Sequence, residues 1–260
     1  MFKRHWKLSI SINMIKLIYG DCLDEMKTIS DNSVDMLLCD LPYGTTSCKW
    51  DIVIPFDLLW EQYKRISKGG CIALFGSEPF SSYLRLSNIK WYKYDWIWNK
   101  KLAGNGILVK KQPLKIHEIV SIFYKNNKYF PQMIKGKLRR KMTNNPKISE
   151  INGGDGIKRC KETFNDLYYP VSIQTFSSAN LRTNRLHPTQ KPVELLSYLI
   201  KTYSEENDTI LDNCMGSGSV GVACKRVKRN FIGIEKDEKY FNIAKKRITE
   251  EYSMDIKKIF

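Results

Sequence analysis

Two short stretches carry residue types and spacings that could do chemistry. The first, Asp212-Asn213-Cys214-Met215-Gly216-Ser217-Gly218-Ser219-Val220-Gly221, lies where a strand pattern gives way to a helix pattern. Glycines there let the backbone turn tightly and approach a ligand at a helix N-terminus, so the stretch suits a nucleotide-like molecule. Gly216, Gly218 and Gly221 formally match G-x-G-x-x-G, and Glu235 closes the next strand pattern, where a carboxylate can take ribose hydroxyls. That reading admits a dinucleotide. Against it, Asp212 ends its strand and three residues separate it from Gly216, a D-x-x-x-G-x-G spacing that favours S-adenosylmethionine. The second stretch is Asp40-Leu41-Pro42-Tyr43. An exocyclic ring amine is a poor nucleophile because its lone pair is delocalised. A carboxylate and a backbone carbonyl that accept its two N–H bonds can turn that lone pair toward an electrophile. Asp40 and the Leu41 carbonyl are candidates for this, and Tyr43 is a candidate to stack on a base drawn out of a duplex. Taken alone, the tetrapeptide reads equally well as an ordinary strand-ending turn.

The elements that would position these residues alternate. Strand patterns at Ile15 to Tyr19, Val34 to Cys39 and Cys71 to Phe75 flank a helix pattern from Phe56 to Lys68. Two further strands are expected at Tyr94 to Trp98 and Ile119 to Tyr124. After residue 186 the pattern resumes with a helix from Pro192 to Tyr203, a strand from Thr209 to Asp212 and a helix from Ser219 to Arg229. A strand from Phe231 to Ile234 and a helix from Tyr240 to Ile248 complete it. Such βαβα alternation implies an α/β fold, a mostly parallel sheet with helices on both faces. The near-alternating Trp91, Tyr92, Tyr94, Trp96 and Trp98 read as a half-buried strand face rather than a base-stacking platform. His117-Glu118 reads as structural. Gly76-Ser77-Glu78-Pro79-Phe80 either shapes a base pocket or simply caps a helix.

The length of 260 residues fits one core with an insertion, and 42% hydrophobic residues exclude disorder and a disulfide miniprotein. A net charge of +16 points to a polyanionic partner, nucleic acid before an anionic membrane. Residues 125 to 186 alone carry +9, through Lys135, Lys137, Arg139, Arg140, Lys141, Lys147, Lys158, Arg159 and Lys161 among others, with Gly153-Gly154 in their midst. Cys22, Cys39, Cys48, Cys71, Cys160, Cys214 and Cys224 form no C-x-x-C pair, so neither a zinc site nor a disulfide framework is encoded. A reduced, cytoplasmic setting is expected, without metal or membrane: Leu8 to Asn13 is too short and polar for a signal peptide, and no apolar run reaches membrane-spanning length. The patterned sequence starts at Met14, and residues 1–13 read as a dispensable extension.

With both constellations in hand, the chain resembles the amino-methyltransferases of DNA in their β-group order, with the D-P-P-Y-type motif first and the cofactor-binding half last. Asp40-Leu41-Pro42-Tyr43 matches that motif, with Leu41 standing where the family usually has proline; Pro42 still pushes Leu41 toward extended backbone. His187-Pro188-Thr189-Gln190-Lys191-Pro192 matches the helix-opening motif beside the methionine end of the cofactor. Asp212, Gly216 and Gly218 match the glycine loop, Glu235 the ribose-binding acid, and Gly20-Asp21 the position against the cofactor adenine. The resemblance implies a Rossmann-like sheet with one antiparallel strand, S-adenosylmethionine as cofactor, double-stranded DNA as substrate and, often, a homodimer. It divides the chain into a catalytic half at 14–125, a target-recognition insertion at 126–186 and a cofactor-binding half at 187–250. The implied site is Asp40, Leu41, Pro42 and Tyr43 for catalysis, with Asp21, Lys191, Asp212, Gly216, Gly218 and Glu235 for the cofactor. Arg139, Arg140 and Lys141 are expected on DNA, outside the sheet. Asp at the first position of the motif favours adenine N6, whereas Ser favours cytosine N4. Cytosine-N4 methylation and a non-catalytic DNA-binding protein on the same fold are the alternatives, the intact motifs speaking against the second.

Overall fold

A computed structural model describes residues 14–45, 51–126, 128–141, 163–177 and 190–256. Residues 1–13, Cys48, Lys147, Gly153-Gly154, Lys158, Arg159, Cys160, Lys161 and His187-Pro188-Thr189 lie outside the described residues. Two compact units emerge: one comprises the residues up to Phe130 together with those from Ser172 onward, the other Pro131–Val171.

The larger unit is built on an eight-stranded sheet. Its strands are β1 (Ile15–Tyr19), β2 (Met36–Cys39), β3 (Ile72–Gly76), β4 (Tyr92–Asn99), β5 (His117–Phe123), β8 (Ile173–Thr175), β9 (Thr209–Asp212) and β10 (Asn230–Glu235). They lie side by side as β1-β10-β9-β2-β3-β5-β4-β8. Only β5 runs against its neighbours; every other pairing in the sheet is parallel. The sheet is therefore mostly parallel with one reversed strand, as the alternating pattern and the resemblance implied. β2 shows why its sequence is a continuous apolar run. Met36 and Leu38 face one buried cluster while Leu37 and Cys39 face the other, so both faces of the strand are covered. The helices α1 (Cys22–Met26), α2 (Phe56–Ile66) and α3 (Phe80–Ser87) contact one another in succession, as do α4 (Val193–Tyr203), α5 (Ser219–Arg226) and α6 (Glu238–Ile256). The first group contributes to the cluster around Tyr63 and Phe123, the second to the cluster around Tyr203 and Phe231.

The aromatic strand is structural, as its alternation suggested. Trp96 and Trp98 are buried, and their indole N–H groups donate to the Tyr203 hydroxyl at 2.6 Å and the Phe176 carbonyl at 2.8 Å. The basic middle segment differs from the expectation that it lies outside the sheet: Ile173–Thr175 pairs parallel with β4 and closes the sheet's edge. Three residues of mixed character at an edge give too short a pattern to read.

The smaller unit contains an antiparallel pair, β6 (Ile134–Lys141) and β7 (Thr163–Tyr168). Arg139 stands opposite Asn165 and Arg140 opposite Phe164. Successive strand residues point to opposite faces, so Arg139 and Arg140 do not form one cluster. The Arg139 guanidinium lies 4.2 Å from the centre of the Tyr168 ring.

Candidate functional site

Four adjacent parallel strands deliver four acids to one edge of the sheet. β1 is followed by Gly20-Asp21, β2 by Asp40, β9 ends on Asp212 and β10 ends on Glu235. The β9 chain continues through α5 to β10 on one side, and the β2 chain through α2 to β3 on the other. The boundary between β2 and β9 is thus a topological switch point, where ligands bind outside the carboxyl ends of strands. A cavity of about 270 Å³ opens there, lined by Asp21, Asp40 to Tyr43, Lys191, Asp212, Gly216 and Glu235 among others.

Asp40 is held by two side chains. Its Oδ1 accepts from the Tyr43 hydroxyl at 2.6 Å and its Oδ2 from Lys191 Nζ at 2.6 Å. Lys191, buried just ahead of α4, also lies 3.3 Å from Glu118 Oε2, and Lys100 donates to Glu118 Oε1 at 3.1 Å. Four charges of alternating sign thus cancel in a partly dry pocket. Burial pushes the Asp40 carboxyl above its ordinary value, more than the Lys191 charge pulls it down. Burial would lower the Lys191 ammonium, but the Asp40 and Glu118 carboxylates outweigh it and raise it. Burial would raise Glu118, yet Lys191 and Lys100 hold it below the usual carboxylate range. Tyr43 is pushed up by burial and by the Asp40 charge, so its hydroxyl stays a donor.

The turn after Asp40 is fixed from a distance in sequence. Asp51 Oδ1 accepts the backbone N–H groups of Tyr43 at 2.7 Å and Gly44 at 2.9 Å, and its Oδ2 that of Thr45 at 2.9 Å. The Leu41 side chain is buried in the core. Phe80, from the segment 76–80, stacks on the Tyr43 ring with centroids 4.9 Å apart.

At the other end of the cavity the carboxylates are held by backbone. Glu235 accepts from Gly216 N–H at 2.8 Å and Asp237 N–H at 2.9 Å, one to each oxygen. Burial raises its carboxyl, opposed by these bonds. Asp212 accepts from Cys214 N–H at 3.1 Å, and burial raises its carboxyl from the ordinary value. Asp21 caps α1 by accepting from Leu23 N–H at 2.9 Å. Gly218 is placed differently from Gly216. It does not line the cavity; its φ of 77° and the approach of Ala244, which a Cβ would meet at 2.9 Å, make it a requirement of α5 against α6.

The structure therefore brings Asp21, Asp40, Leu41, Pro42, Tyr43, Lys191, Asp212, Gly216 and Glu235 around one cavity. Arg139, Arg140 and Lys141 belong to the smaller unit. Sequence reasoning singled out the segment that carries Phe80 but missed Asp51 and the pairing of Glu118 with Lys191. Among the described residues, no group of three or more His, Cys, Asp or Glu could hold a metal, and no helix is long and apolar enough to cross a membrane.

An open, mostly parallel sheet with its cavity at this edge, a D-x-P-Y turn and a glycine loop places the protein in the class of Rossmann-like methyltransferases. The family model for DNA methylases, N6_N4_Mtase, matches residues 34–246. The chain belongs to this family and is a DNA methyltransferase. It is 25% identical to the Type II methyltransferase M.HpaI of Haemophilus parainfluenzae over 253 residues, covering 92% of this chain and 75% of that protein. It is 24% identical to M1.MboII of Moraxella bovis over 252 residues, covering 88% and 94%. Among solved structures, the M1.HpyAVI–SAM complex superimposes with a TM-score of 0.61 at 25% identity, covering 90% of this chain and 99% of that one. The cytosine-N4-specific PvuII DNA methyltransferase, at 14% identity and a TM-score of 0.59 over 93% and 92%, shares the fold.

Proposed function

We propose that the protein methylates the N6 amine of adenine within a short recognition sequence, on a base drawn out of the duplex. Its cofactor is S-adenosylmethionine, as the family and the M1.HpyAVI–SAM complex indicate. When bound, the cofactor supplies a methyl group already activated by its sulfonium. The cavity suits such a molecule. Six carboxylates line it, Asp21, Asp40, Asp51, Asp212, Glu235 and Asp237, against Lys191 and Lys236, an excess of negative charge that complements a sulfonium and an ammonium. Glu235, fixed by two backbone N–H groups, keeps lone pairs for ribose hydroxyls. Gly216 lets the chain come close, while Asp21 and Asp212 border the same cavity, and Gly218 sets the loop's path into α5.

Asp40 carries the reading. Its carboxylate stands in the same cavity as Glu235, with one oxygen engaged, among the described residues, by the Tyr43 hydroxyl alone. An incoming amine takes that position, donating one N–H to Asp40 and the other to the Leu41 carbonyl. The lone pair is then free to attack in line, with the electron pair of the broken methyl–sulfur bond left on sulfur; the carboxylate would stabilise the positive charge that develops on nitrogen until one N–H proton is lost to solvent. Pro42 keeps Leu41 extended. Phe80 stacks on one face of Tyr43, and in this reading the base takes the other. Lys191 holds Asp40 rather than standing free for the cofactor's methionine end.

Residues 126–186 supply target recognition in this reading, with Arg139, Arg140 and Lys141 on double-stranded DNA, between a catalytic half at 14–125 and a cofactor half at 187–250. A cytoplasmic homodimer, matching the family resemblance, is part of the proposal. The adenine assignment rests on Asp at position 40. Methylation-aware sequencing of DNA from cells expressing the wild type or Asp40→Ala tests it. N6-methyladenine at one short motif, in wild-type DNA only, is expected. N4-methylcytosine would support the alternative, and an absence of both would overturn the proposal.

A further inference from the structure

The connection between β4 and β5, residues 100–116, carries five lysines and no acid. Strand directions place it beside the chemistry. β5 runs antiparallel to β3 and to β4, so His117 and Asn99 both lie at the carboxyl end of β3, and β3 is parallel to β2. The connection therefore springs from the edge that carries Asp40. Its roots are tied to that site: Lys100 pairs with Glu118, Glu118 with Lys191, and the Lys115 ammonium donates to the Ser77 hydroxyl just beyond β3.

The connection is an ordered structure. Lys100 N–H donates to the Ile116 carbonyl at 2.8 Å, and Gly104 N–H to the Lys115 carbonyl at 3.3 Å. Asn105 accepts from Lys115 N–H at 2.6 Å and donates to the Pro113 carbonyl at 3.0 Å, and Gly106–Leu108 forms a 3₁₀ turn. This frame turns aliphatic side chains outward. Ile107 is 99% exposed, and Leu108, Val109, Leu114 and Ile116 are exposed as well, alongside Lys101, Lys110 and Lys111. A hydrogen-bonded loop that keeps five aliphatic side chains in water marks an interaction surface. Lysine is depleted at protein–protein interfaces, whereas aliphatic wedges flanked by cations suit a duplex.

We propose that residues 100–116 form a DNA-contacting element distinct from the hairpin of the smaller unit. Ile107 packs into the duplex where the extruded base leaves a gap, and Lys110 and Lys111 lie on phosphates. The wedge replaces stacking lost when the base departs, which lowers the cost of extrusion. This rests on the proposed extrusion of the target base.

Wild-type protein is first incubated with plasmid DNA and radiolabelled S-adenosylmethionine. No incorporation would sink the methyltransferase reading and this inference with it, so the loop variants are read against a methylating wild type. On duplexes carrying the mapped recognition site, Ile107→Ala is expected to lower kcat/KM by about tenfold or more on paired DNA, with Ile107→Leu close to wild type. Recovery to within about threefold of wild type is expected when the target base faces an abasic position, because unpairing is then already complete. Equal losses on both duplexes, or none on either, overturn the wedge. A changed oligomeric state in Ile107→Ala with unchanged DNA steps assigns the tip to a second copy and also overturns it. Lys110→Gln with Lys111→Gln should reduce the slope of log affinity against log salt on random duplex by up to about 1.8, or about 0.9 per lost contact. An unchanged slope overturns the phosphate contacts.

Discussion

The two ends of the cavity hold their acids by different means. Glu235 receives one backbone N–H on each oxygen, from Gly216 and Asp237, partners that cannot rotate away from it. Asp40 is held by two side chains, the Tyr43 hydroxyl and the Lys191 ammonium, the latter 151 residues away in sequence. Side chains exchange partners by rotation. Under the proposed roles, the molecule bound in one fixed pose meets a carboxylate locked by backbone. The base, which must be drawn out of the duplex into its place, meets one whose hydrogen bonds can be traded. Preorganisation is thus concentrated at the cofactor end.

The largest expected effect breaks the exchangeable end. Asp40→Ala should lower the methyl-transfer rate by about 10²-fold or more under saturating cofactor, the usual scale for removing a positioned group at the reacting centre. A smaller loss in single-turnover kinetics would mean that the Leu41 carbonyl suffices to orient the amine. At the locked end, Glu235→Ala should weaken S-adenosylmethionine binding by about 1.5–3 kcal/mol, the range for hydrogen bonds to a charged group. Raising the cofactor concentration should restore part of the activity. A defect that saturating cofactor leaves untouched would remove Glu235 from the ribose.

The charge network sharpens the contrast through pH. In the proposed mechanism the reactive form of Asp40 is the carboxylate, so the rate should be full above its pKa and fall as pH drops through it. Because burial raises that pKa, the acid limb should lie above the position of an ordinary aspartate. Lys191→Met removes the cation that opposes this shift, so the limb should move further up, by about 1–3 pH units for a charge at hydrogen-bond distance. A limb that stays in place would show that Lys191 does not govern Asp40. The smallest effect concerns the hairpin. Arg139 and Arg140 face opposite ways, so only one of them can lie on a given row of phosphates. Arg139→Gln and Arg140→Gln made singly should change the salt slope unequally, one by about 0.9 and the other by close to zero. Equal changes would place DNA along the hairpin's edge.

Local patterns made the sheet and most of the cavity readable. Apolar runs of strand length alternating with helical spacing located β1, β2, β9 and β10, and the acid that closes or follows each of them then had to fall on one edge. Residues whose roles depend on distant partners stayed hidden. Glu118 looks like any polar residue opening a strand, and only the fold brings Lys191, 73 positions later, against it. Asp51 was equally unmarked, because a side chain that clamps the backbone of Tyr43, Gly44 and Thr45 leaves no periodic trace. The hairpin strand β6 is basic on consecutive residues, so its charge was visible but its two-faced register was not.

Under the proposed roles Asp40 acts on the target amine and Glu235 on the cofactor, two jobs at two ends of one cavity. Calorimetric titration of Asp40→Ala with S-adenosylmethionine tests this division most directly, because the same variant's methyl transfer is expected to be lost. An affinity within about threefold of wild type, a difference of roughly 0.7 kcal/mol, is the predicted result. An affinity that falls as far as the activity does would contradict the division and make Asp40 part of the cofactor site.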